Sequence, residues 1–138
     1  MTLARSLSLA ALAAATLAAL GGCTALGLGT GDVSPVFVAE SQPRGDTLEI
    51  ASVTLVRPGY VVVHDDEGGQ PGTVLGHSEL LDAGTHEDVS IPLDSAGTGG
   101  GVWPMLHVDD GNGTYEFPGA DAPAMIDGTP VMTSLAWR

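Results

Sequence analysis

The chain has 138 residues, with 17 Asp and Glu set against 4 Arg and no Lys, and a formal net charge of −13 at pH 7. That length allows one domain with a modest core. The charge repels nucleic acid and anionic lipid headgroups, and favours cations or basic partners.

At the amino terminus Arg5 precedes an apolar run, Leu7 to Leu20, built almost wholly of Leu and Ala, and the run ends in Gly21-Gly22-Cys23. This is the order of a basic n-region, an apolar h-region and a small-residue cleavage site. With a cysteine directly after the small pair, the segment resembles a bacterial lipoprotein signal whose lipobox is Leu20-Gly21-Gly22-Cys23. The resemblance implies cleavage after Gly22 and lipid on the thiol and amine of Cys23. The run is shorter than the roughly 20 residues that span a bilayer, which argues against a transmembrane anchor. Cys23 is the only cysteine, so no internal disulfide can form. The expected plan is a signal over 1–22, a lipidated cysteine and tether over 23–46, and a folded domain over 47–138. The domain would sit outside the cytoplasm at the cell envelope, attached to the membrane through lipid. Thr24, where Asp would retain a lipoprotein at the inner membrane, points to the outer membrane if the cell has two.

From Thr24 to Arg44 the chain mixes Gly, Ser, Thr and Pro, and reads as a tether in which Val36-Phe37-Val38 could form a short strand. Short β-rich runs follow, each closed by turn residues: Leu48 to Val56, Tyr60 to His64, Val74 to Leu81, Thr85 to Leu93, Val102 to Val108, Thr114 to Phe117 and Val131 to Trp137. Their spacing predicts an all-β domain, an antiparallel sandwich of about seven strands, immunoglobulin-like or cupredoxin-like. Val89, Ile91 and Leu93 alternate with polar residues, as in a half-buried strand. Tyr60-Val61-Val62-Val63 does not alternate and fits a central strand covered on both faces.

Absent lysine, abundant Asp and Glu, few aromatics and much Gly, Ala and Thr match the composition of salt-adapted proteins. At high ionic strength the Debye length falls to a few ångströms and like charges stop repelling each other. Stability is therefore expected to fall at low salt.

A set of strings resembles a known family: Gly59-Tyr60-Val61-Val62-Val63-His64-Asp65, Val74-Leu75-Gly76-His77-Ser78, Ala83-Gly84-Thr85-His86-Glu87-Asp88-Val89, Met105-Leu106-His107-Val108-Asp109 and Gly113-Thr114-Tyr115-Glu116-Phe117. It is similar to a domain of unknown function found in secreted and cell-surface proteins of salt-adapted archaea and bacteria. The resemblance covers roughly Leu48 to Arg138 and implies an extracytoplasmic β-sandwich. It brings no activity, cofactor or catalytic set.

Two constellations could carry chemistry. His64 and His107 each stand at a predicted strand end before carboxylates, and His86 begins a strand beside Glu87 and Asp88. If these ends converge, three imidazoles suit zinc, and Met105 with His107 suits copper(I). Blue copper is excluded, because its thiolate is missing. Each histidine could equally cap a turn or bond a backbone group, and His77, with no adjacent carboxylate, reads as structural.

The second constellation is Asp109, Asp110, Asn112 and Glu116, with the oxygen density of a calcium loop. Counted from Asp110, the sixth position is Tyr115 instead of Gly and the twelfth is Asp121 instead of Glu, a poor match to the helical calcium motif. A hairpin with Asn112-Gly113 as its turn explains the same string without metal. Ser78 and Ser90 lack a nucleophile-elbow context and no glycine-rich phosphate cradle is present, so no enzyme is expected. The expected role is non-enzymatic: a binding or structural module for an unidentified protein or small ligand, or alternatively a surface or periplasmic metal-binding protein.

Overall fold

The computed structural model describes residues 36–138. Cys23, the apolar run before it and the first part of the tether lie outside the described residues. Nine short strands make up the described chain: β1 (Val36–Val38), β2 (Thr47–Leu55), β3 (Gly59–Asp66), β4 (Pro71–His77), β5 (Gly84–Pro92), β6 (Gly101–Val108), β7 (Met125–Ile126), β8 (Thr129–Pro130) and β9 (Leu135–Ala136). They form an antiparallel sandwich of two sheets, ordered β1-β2-β5 and β4-β3-β6-β9, with β7 and β8 as a separate hairpin.

A single apolar cluster joins the sheets. Leu48, Ile50, Val53 and Leu55 of β2 and Ile91 of β5 meet Val61 and Val63 of β3, Val102 and Leu106 of β6, Leu75 and Leu135. Each such side chain contributes on the order of 1.5–3 kcal/mol when fully buried. Close approach of β3 and β6 has one strict requirement, since a Cβ at Gly59 would strike the His107 carbonyl oxygen.

β3 is buried along almost its whole length, as its unbroken apolar run predicts. One face lies on the core. On the other, the register Tyr60↔His107, Val62↔Met105 and His64↔Trp103 lines up two rows of side chains. The chain after β6 folds back over those rows. Tyr115 packs edge-on to Tyr60, and Phe117 edge-on to His64 and His107.

Two local expectations around Asp109 differ from the structure. Thr114–Phe117 is not a strand, and Asn112-Gly113 closes no hairpin. Instead Gly111 and Gly113 take positive φ of 107° and 74°, and the chain wraps around the Asp109 carboxylate. The hairpin of this region comes later, between β7 and β8, where Asp127 and Gly128 have φ of 49° and 81° and make a primed turn. Within the predicted tether, Val36-Phe37-Val38 forms the short strand that its sequence allows. β1 pairs with β2, and the Arg44 guanidinium donates to the Ala96, Gly97 and Gly99 carbonyls.

Candidate functional site

The structure brings His64 and His107 together and leaves His86 apart. His64 and His107 sit on neighbouring strands of one sheet, with ring centroids 5.9 Å apart and planes 24° from parallel. His86 lies on β5 in the other sheet, and its Nε2–H donates to the Asp82 carbonyl at 2.8 Å. The three-imidazole set therefore reduces to two, because β5 belongs to the opposite layer. Met105 shares the outer face of β6 with His107.

Both paired histidines are held by backbone. His64 Nδ1 donates to the Gly72 carbonyl and His107 Nδ1 to the Asp121 carbonyl, each at 2.8 Å. A carbonyl can only accept, so both rings carry hydrogen on Nδ1, and in a neutral imidazole that leaves the lone pair on Nε2. Both Nε2 atoms are buried without a hydrogen-bond partner. Burial pulls the His107 pKa below the ordinary imidazole value; the Asp121 carbonyl opposes this, and the neighbouring His64 adds to it. His77, expected to be structural, bonds the Ser78 carbonyl at 2.7 Å and stacks on Tyr115 with centroids 3.7 Å apart.

The acidic string rearranges the predicted set. Asp109 and Asp110 are joined by Asp121, and one carboxylate oxygen from each lies within 4.8 Å of the others. Asn112 and Glu116 bond each other instead, Nδ2 to Oε2 at 2.8 Å. Backbone amides hold the cluster. Asp109 accepts from Gly111 at 2.9 Å and Gly113 at 3.1 Å. Asp121 accepts from Asp110 at 3.2 Å and Glu116 at 2.6 Å. Asp121 is 0% and Asp109 7% exposed, so two of the three carboxylates are taken from water. Carboxylates this close repel one another, most strongly for the buried pair, where less water screens them.

Two phenols face the same cluster. The antiparallel ladder continues past β6 through the Asp109 N–H to Pro58 carbonyl bond of 3.0 Å, so Tyr60 and Asp109 project from one face as diagonal neighbours. The Tyr60 side chain is 3% exposed, and its hydroxyl has no hydrogen-bond partner. Burial pushes the Tyr60 phenol pKa up, and the charges of Asp109, Asp121, Asp110 and Glu116 push it further. The Tyr115 hydroxyl is likewise buried without a partner, and its pKa is raised by burial and by Asp121. Tyr60, Tyr115, Phe117 and Asp121 were not singled out as site residues by sequence. The period-two rows Tyr60-Val62-His64 and Trp103-Met105-His107 held the signal for the first of these, once the strands are set in register.

An acidic, aromatic rim on an all-β sandwich defines a small β-module without an evident catalytic constellation among the described residues. The chain belongs to the family described as Domain of unknown function (DUF7282), which matches residues 35–137. It is 34% identical over 108 residues to cell surface glycoprotein 1 of Haloarcula hispanica and 33% identical over 108 residues to cell surface glycoprotein 2 of the same organism. Each match covers 75% of this chain but 11% of the relative, so the chain spans about a tenth of the length of these curated relatives. No solved structure gives a significant match.

Proposed function

We propose that this protein is a non-enzymatic surface module, a compact sandwich held at the outside of the cell by lipid on Cys23. The observation that carries the reading is the match between its folded part and a segment of two cell surface glycoproteins. The acidity of the chain, with no lysine and a net charge of −13, agrees with it, since salt at high concentration screens such repulsion. The lipobox string Leu20-Gly21-Gly22-Cys23 supplies the anchor. Its role would be structural, or the binding of a protein or small ligand outside the cytoplasm. Mass spectrometry of the protein from its native membrane fraction tests this: a new amino terminus at Cys23 carrying acyl mass is expected. An intact Met1 with a free thiol in a soluble cytosolic fraction would overturn it.

The buried, unpartnered Nε2 atoms of His64 and His107 favour a second reading, a metal carrier for zinc or for copper(I) with Met105. Among the described residues no cluster of three His, Cys, Asp or Glu ligands includes either histidine, which weighs against it. Elemental analysis of protein purified without an affinity tag separates the readings. Stoichiometric zinc or copper, lost in His64→Ala, would establish the carrier; its absence leaves the surface module.

A further inference from the structure

We propose that Asp109, Asp110 and Asp121 form a calcium site at the rim of the sandwich, with the Tyr60 hydroxyl as a further oxygen donor to the ion or to its bound water. The donors are oxygen only, which selects a hard cation over zinc or copper. Each carboxylate keeps lone pairs for an ion. A carboxylate offers about four acceptor positions, and Asp109 and Asp121 each take amide hydrogens from two residues. Every hydrogen bond to these three carboxylates comes from a backbone amide, so no basic side chain neutralises them through one. Buried charge is ordinarily paired or bound to metal.

The second observation is independent of the acids. Tyr60 is a buried side chain whose hydroxyl finds no partner in the protein, and the β3–β6 register sets it beside Asp109 on the same face. A phenol of ordinary chemistry at that place would bond a carboxylate; an ion or its water between them would engage both. The amides of Gly111, Gly113, Asp110 and Glu116 fix the carboxylates beforehand, and calcium tolerates the irregular geometry that such a loop provides. Magnesium, which needs a near-ideal octahedron, is expected to bind more weakly.

The test is calorimetric titration of the full chain with calcium chloride in concentrated potassium chloride, after treatment with chelator. One saturable site per chain is expected. Asp110→Asn, an exposed change that keeps the oxygen accepting the Asn112 amide, should weaken binding at least about tenfold. Asp82→Asn, an exposed acid on the β4–β5 connection, should leave it unchanged. Terbium provides a second readout: bound at the rim it should emit when tyrosine is excited, and Tyr60→Phe should lower that emission. Unsaturable heat, or calcium affinity equal in the parent and Asp110→Asn, would overturn the proposal, as would terbium emission unaltered in both Asp110→Asn and Tyr60→Phe.

Discussion

Asp65 and the Asp109–Asp121 rim both place carboxylates at strand ends out of water, yet the two regions settle their charge in opposite ways. Asp65, 5% exposed, receives four donors, two on each oxygen: Thr98 N–H at 2.8 Å, Thr98 hydroxyl at 3.1 Å, Gly99 N–H at 3.0 Å and Asp66 N–H at 3.0 Å. One charge meets four dipoles, and the carboxylate pins the glycine-rich loop before β6. At the rim three carboxylates share a handful of amides and face one another. Saturation by donors makes an acid a structural clamp. Convergence of acids on too few donors makes it a receptor for positive charge.

The clamp is the place to break that contrast hardest. Asp65→Asn turns two accepting sites into donors that face N–H and O–H groups, and about 3 kcal/mol of stability should be lost in chemical denaturation. The loss should carry a pH signature. Burial raises the Asp65 pKa, but the hydrogen bonds from Thr98, Gly99 and Asp66 outweigh it and hold the carboxyl below its ordinary value. A carboxyl depressed in the fold stabilises above its unfolded pKa of about 3.9 and loses that contribution as pH falls through the folded value. The gap between parent and Asp65→Asn should therefore be flat above pH of about 5 and close below it. A gap that widened on acidification would contradict the clamp. Thr98→Val, which removes one donor of the four, should cost about 1 kcal/mol in the same assay.

The sandwich was legible in the chain, while the site was legible only in part. Strand positions followed from period-two alternation and from turn clusters, and the unbroken Tyr60–Val63 run announced a strand covered twice. What covers its second face was not legible, because Tyr115 and Phe117 were read as a strand of their own. Their segment is instead bent around Asp109 by glycines at positive φ. The meeting of His64 with His107 could be expected from strand ends, but the exclusion of His86 depends on which sheet β5 joins, a nonlocal fact. Asp121 is the instructive case. Judged against a contiguous loop motif it is the wrong residue at the twelfth position. The fold brings it in from the far end of the loop, through its carbonyl bond to His107 and its carboxylate bonds to Asp110 and Glu116.

The smallest effect sharpens the contrast most, because its sign differs between the two regions. Asp110→Asn in chelator removes one of three mutually repelling charges, and the exposed amide side chain costs nothing to solvate. At low salt the variant should be more stable than the parent by about 0.5 kcal/mol, the scale of an exposed charge interaction. Concentrated salt shortens the Debye length to about 3 Å at 1 M and should erase the gain. The same screening should raise the melting temperature of the parent, given its net charge of −13. Calcium should then reverse the order of the pair, since only the parent holds the ion tightly, and ligand at about a hundred times its dissociation constant stabilises by about 2.7 kcal/mol. An Asp110→Asn variant less stable than the parent in chelator would mean that the rim, like Asp65, has its charge already satisfied by the protein.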